Sequence, residues 1–137
     1  MKTFEELIGK EVLSVYISHN NNSIVFFVKN ARLADENYYI FNTNEGQCND
    51  VWFHSMNGIK NLLGKKINDV EDMEWKNVEL TREEPEEEAI SYRFNTDAGY
   101  FDLEMRNSSN GYYGGSCSFG GKLDHLSGAW KQIKEDF

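Results

Sequence analysis

The 137-residue chain is short of three things: it has one proline, two cysteines, and only 14 Lys and Arg against 23 Asp and Glu. Each shortage excludes something. Two cysteines, Cys48 and Cys117, do not make a disulfide framework, so a bridge-stapled secreted scaffold is excluded and a reduced, cytoplasmic location is expected. A formal net charge of −9 leaves no basic footprint, so direct DNA binding is not expected. No apolar run approaches the roughly 20 residues that span a bilayer. The opening Met1-Lys2-Thr3-Phe4-Glu5-Glu6 turns acidic at once, unlike a leader, so no membrane partner is expected. The single proline, Pro85, falls in a charged stretch read as a loop.

Aromatics are plentiful, with three Trp, seven Tyr and nine Phe. Large flat side chains pack well across strands, so this supply favours sheets. Hydrophobic residues at 39% and charged ones at 27% mark a folded chain, and its length suits a single domain over residues 1–137. No internal repeat interrupts it.

Periodicity predicts a mainly β (α+β) fold of antiparallel hairpins with one or two short helices. Phe4, Leu7 and Ile8 fit one helical turn that stops at Gly9. Leu13, Val15 and Ile17 alternate, as do Ile24, Phe26 and Val28. A turn at Asn20-Asn21 pairs Leu13 with Val28, Val15 with Phe26 and Ile17 with Ile24. Further strands are expected over 37–42 and 48–54, a short helix over 56–63, and one or two strands within 67–81. A second hairpin is the sharpest expectation. With Asp97-Ala98 at the turn, Phe94 meets Phe101, Tyr92 meets Leu103 and Ile90 meets Met105. Arg93 meets Asp102 and Ser91 meets Glu104 on the other face. A slip of one residue sets apolar against polar at every pair, so the register is strongly specified. A third strand of this meander is expected from Tyr112 to Phe119. Leu126, Ala129, Trp130 and Ile133 have the spacing of a terminal helix over 124–137.

The constellations that carry chemistry are few. Cys48 with His54, and Cys117 with His125, lack the short spacing and second Cys-x-x-Cys arm of a zinc site, so no metal is expected. Gly114-Gly115-Ser116-Cys117-Ser118-Phe119-Gly120-Gly121-Lys122 misplaces the lysine of a phosphate-binding loop. Cys117 alternates with Phe119 as a small buried residue does, although it remains a candidate hydrolase nucleophile beside His125. Asp102 and Glu104 share a strand face with Arg93 and Arg106, which reads either as a solvated ladder or as the wall of a polar ligand site. That strand runs into Asn107-Ser108-Ser109-Asn110-Gly111-Tyr112-Tyr113-Gly114-Gly115, where an Asn-Gly turn signal, amides and paired tyrosines converge.

Four pieces in order carry a resemblance: Phe4 to Lys10 (Phe-Glu-Glu-Leu-Ile-Gly-Lys), a strand, Cys-containing turn and strand from Tyr39 to Phe53, an Ile-x-x-Leu-Leu-Gly step from Ile59 to Gly64, and Ser-Asn-Gly-Tyr-Tyr from Ser109 to Tyr113. The chain resembles a family of short bacterial and phage proteins described only as a domain of unknown function. The resemblance implies a small β-rich fold and a phage or mobile-element setting, with no catalytic residues. Relatives often carry an acidic residue and two adjacent cysteines in the mid-chain turn. Here Gly46, Gln47 and Cys48 stand there, and a metal or redox role is not expected.

The expected function is therefore a non-enzymatic binder, without cofactor, that sequesters a small anionic, nucleotide-type ligand to counter host defence. Arg93 and Arg106 would neutralise the anion, Tyr112 and Tyr113 would stack, and Asn107 and Asn110 would supply amide contacts. A homo-oligomer is expected, because small sheets often build pockets between subunits. The alternative is an acidic inhibitor that grips a basic, nucleic-acid-binding protein, by mimicry of nucleic acid, through Glu83, Glu84, Glu86, Glu87 and Glu88.

Overall fold

Strict alternation from Ile90 to Met105 produces two long strands, β7 (Glu86–Thr96) and β8 (Gly99–Ser109). Their pairing is the expected one throughout, from Thr96 opposite Gly99 through Phe94–Phe101, Arg93–Asp102, Tyr92–Leu103 and Ile90–Met105. The computed structural model describes residues 2–29, 37–44, 49–109, 114–120 and 129–137. The remaining strands are β1 (Val12–Ser18), β2 (Ser23–Val28), β3 (Asn37–Asn44), β4 (Asn49–Asn57), β5 (Asp69–Asp72), β6 (Lys76–Asn77), β9 (Ser116–Phe119) and β10 (Trp130–Gln132). They form two antiparallel sheets. One has the order β10-β1-β2-β3-β9; the other has β4-β8-β7-β5, with β6 also on β7. Helix is confined to two short 3-10 turns, Glu5–Leu7 and Ile59–Asn61.

The first hairpin keeps Val15–Phe26 and Ile17–Ile24, but Leu13 does not meet Val28. A bulge puts Val12 there and leaves Leu13 exposed. The cause lies on the other side of β1. Val12 donates to the Lys65 carbonyl and accepts from Gly64, while the Ile67 amide donates to Lys10. These bonds pull the start of β1 towards the second sheet, and the bulge absorbs the mismatch.

Three other expectations are corrected. The stretch 56–63 is not a helix: β4 runs to Asn57 and only a 3-10 turn follows. Gly58 breaks the strand at φ 92°, and a Cβ there would lie 2.4 Å from the Tyr100 carbonyl. The segment before Phe119 is not a third member of the β7–β8 meander. Strand β9 pairs with β3 in the other sheet, because β4 already occupies the free edge of β8. The described part of the tail is not helical. Strand β10 lies along β1, and Phe137 exchanges backbone hydrogen bonds with Met56, which covers part of the β4 edge.

The apolar faces of both sheets meet in one core. Phe26 and Phe41 come from the first sheet; Tyr92, Phe94 and Phe101 come from the second. Phe4, just before the first 3-10 turn, is wedged between them with 0% exposure. Its ring centroid lies 4.4 Å from Phe41, 4.9 Å from Tyr92 and 5.2 Å from Phe94. No helix among the described residues is long and apolar enough to cross a membrane.

Phe4 touches both sheets, so its removal opens a cavity at their junction. Phe4→Ala is expected to lower unfolding stability by about 3–5 kcal/mol in urea titrations. A loss under about 1 kcal/mol would show that the sheets do not depend on this wedge.

Candidate functional site

Because the β7–β8 apolar face is committed to the core, the alternate residues Glu87, Ser91, Arg93, Asp102, Glu104 and Arg106 share the outer face. Two sets of charges form there, and they differ in what they leave free.

Arg106 is 14% exposed and paired with two carboxylates. Its Nη1 donates to Glu87 Oε2 at 2.6 Å and its Nε donates to Glu104 Oε2 at 2.8 Å. Glu87 has a side chain with 0% exposure and also accepts from the Thr81 amide and hydroxyl at 2.9 and 2.8 Å. Burial pushes the Glu87 carboxyl up, but the Thr81 amide, Arg106 and the Thr81 hydroxyl together outweigh it and hold it below the usual carboxylate range. Next to Thr81, Arg82 lies over the Trp52 ring at 4.0 Å and pairs with Asp50. The Trp52 indole N–H donates to Nδ1 of His54. Burial and the charge of Arg106 push the His54 imidazolium down, so the ring is neutral at physiological pH.

Arg93 is arranged differently. Its Nε and Nη2 donate to the two oxygens of Asp102 at 2.9 and 3.0 Å. Its guanidinium lies 3.9 Å from the Tyr100 ring centroid. It borders a half-open recess of about 500 Å³ lined by Met73, Glu74, Trp75, Lys76, Ser91, Arg93 and Asp102. Strand β6 brings Lys76 opposite Ala89, two residues from Ser91.

The expected site residues are thus distributed unevenly. Arg93 lines the recess; Arg106 does not, so the two arginines do not share one hollow. Asn107 is buried beneath Glu88 and Asn49, donating to the first and accepting from the second. Asn110, Tyr112 and Tyr113 lie outside the described residues, as do Cys48 and His125. On the acidic side, Glu86–Glu88 belong to β7 instead of a loop. Glu83, Glu84 and Glu86 are exposed and Glu88 is half-buried, but Glu87 is withdrawn from any partner surface by Arg106. Trp75, Lys76 and Met73 are not among the site residues expected from sequence; they fall in the stretch 67–81, where one or two strands are expected and β5 and β6 form.

Other chemistry finds little support. Burial pushes the Cys117 thiol up to about 12, so the thiolate that nucleophilic attack needs is scarce. Among the described residues no group of three or more His, Cys, Asp or Glu side chains is placed to hold a metal ion.

Glu87 carries a pH signature. Its folded pKa lies below the ordinary value of 4.5, so its contribution is complete above that value and is lost as pH falls through the folded pKa. Glu87→Gln is expected to cost about 3 kcal/mol at pH 7, the low end for breaking a buried pair, because Arg106 keeps Glu104. The wild-type advantage should shrink on acidification below pH 4.5 in urea titrations. An advantage that stays constant with pH would contradict the assignment.

Residues 5–119 match the family described as "Domain of unknown function (DUF7448)". An uncharacterized protein of Acanthamoeba polyphaga mimivirus is 31% identical over 113 residues, covering 79% of this chain and 85% of that protein. No solved structure matches the chain. The relative is viral, but it does not carry the finer expectation of a bacterial or phage setting. The match over most of the chain, with the viral relative beside it, makes this protein a member of the DUF7448 family.

Proposed function

We propose that this protein is a non-enzymatic binder that sequesters a small anionic, nucleotide-type ligand at the Trp75–Arg93 recess, in the host cytoplasm, on behalf of a virus or mobile element that counters host defence. The observation that carries the reading is the recess itself. Its volume is in the range of small-molecule sites. Arg93 and Lys76 bring two positive charges to it, and Met73 and Trp75 supply an apolar wall. Relative to the expectation from sequence, Lys76 takes the place of Arg106, and Trp75 is the aromatic surface on hand. The mimivirus relative supports the viral part of the reading.

A second reading is favoured by a separate observation. Glu71, Glu74, Glu79, Glu83, Glu84 and Glu86 are all exposed along the β5–β6 edge, the loop that follows and the start of β7. Such an edge suits a basic protein, with association that is fast and salt-sensitive.

Thermal unfolding with a panel of nucleotides separates the two. A ligand at a hundredfold its Kd is expected to add about 2.7 kcal/mol, a rise of several degrees in Tm. Arg93→Ala should abolish that rise with only a small change in the ligand-free Tm, because a partly exposed ion pair is worth about 0–1 kcal/mol. No rise with any nucleotide, or a rise that persists in Arg93→Ala, would overturn the first reading. Capture of a basic protein that weakens steeply with salt would then favour the second.

A further inference from the structure

We infer that the recess selects a ligand with one negative charge, on a two-oxygen group attached to a flat apolar body, and discriminates against polyphosphates. The inference rests on the ligand-binding reading above and specifies its ligand.

The guanidinium of Arg93 is fixed on two sides. Asp102 holds the edge formed by Nε and Nη2, and Tyr100 lies against the face. The other edge, Nη1 with the second N–H of Nη2, meets no acceptor among the described residues. That edge has the fork geometry that a carboxylate or a phosphodiester accepts with two parallel hydrogen bonds. A guanidinium already held in place loses little freedom on binding, which favours affinity.

The charge count then limits the ligand. Arg93 and Lys76 face Glu74 and Asp102 in the same lining, so the recess sums to zero. Lys76 makes no ion pair among the described residues, whereas the charge of Arg93 is already paired with Asp102. Lys76 can therefore offset one negative charge on a ligand, while the other edge of Arg93 supplies hydrogen bonds. Each additional one meets Glu74, Asp102 and the nearby Glu71, within a chain whose net charge is already −9. Polyphosphate sites instead gather backbone amides, several cations or a metal around the anion. Met73 and the half-buried Trp75, which also packs against the core, complete the recess as its apolar lining, and Ser91 adds a polar residue.

Calorimetric titration at low ionic strength, with a metal chelator, tests the inference with four probes: a cyclic adenosine monophosphate, an indole carboxylate, adenosine triphosphate and neutral adenosine. One or both monoanions are expected to bind about tenfold more tightly than the triphosphate or the nucleoside. Which monoanion wins tells phosphodiester from carboxylate. Arg93→Lys keeps the charge but loses the fork and should weaken the preferred probe about tenfold. Lys76→Gln should weaken it as well, whereas Lys131→Gln, the same change of net charge on β10, should not. Triphosphate binding as tight as the monoanions would overturn the inference while leaving a ligand site in place. Binding of neither monoanion nor triphosphate would overturn the ligand reading and the inference together. Equal weakening by Lys76→Gln and Lys131→Gln would show a diffuse field instead of a local contact, and would also overturn it.

Discussion

The burial of Phe4 between two sheets is the contact on which the architecture depends. Its ring touches Phe26 and Phe41 on one side and Tyr92 and Phe94 on the other, so a short segment before β1 joins surfaces that no single strand among the described residues bridges. Aromatic rings at these separations add edge and offset contacts to the large area they bury. Once the apolar faces are committed inward, strand alternation leaves no choice for the remaining side chains of β7 and β8. Their charges must face outward, and the outer face is where the candidate site lies.

On that face, the difference between the two arginines is one of compensation. Arg106 is desolvated against a fully buried Glu87 and also bonded by Glu104, and a cation held by two carboxylates has little attraction left for an outside anion. The Arg106 cluster is best understood as a polar lock. It fastens Thr81 to the start of β7 and places Arg82 over Trp52. Arg93 has one carboxylate partner and greater exposure, it retains an edge with no acceptor among the described residues, and it lines the recess together with Lys76. The same strand pair thus supplies a structural ion cluster near one end and, near the other, a guanidinium with one carboxylate partner that lines the recess.

The β7–β8 register could be read from the sequence between Ile90 and Met105, because every one-residue shift there is penalised. The inner pairs of β1 and β2 were legible for the same reason. The Leu13 bulge was not, since it arises from backbone bonds to residues 64–67 that no local pattern announces. The placement of β9 depended on which edge was vacant, a question settled by β4 and invisible in Ser116 to Phe119. Trp130 and Ile133 fit a helical period as readily as a short strand, and docking against β1 decided the matter. Glu87 is expected from sequence only as one of a run of acidic residues facing a partner. Continuing the hairpin register outward would have placed it diagonal to Arg106 on the same face, where a buried guanidinium requires a carboxylate. Of the site, Arg93 and its pairing with Asp102 were legible. The recess was not, because Trp75 and Lys76 reach it through the ambiguous strands β5 and β6.

The central claim is that ligand enters the Trp75–Arg93 recess and engages the free edge of Arg93. Nitrogen-15 NMR of the protein, including the arginine side-chain N–H signals, tests this most directly during addition of a singly charged nucleotide. The account predicts that shifts concentrate at 73–76, Ser91, Asp102 and the Arg93 side chain, with the Arg106 signal unmoved. Shifts confined to the opposite sheet, or an Arg106 signal that moves while Arg93 stays still, would contradict it.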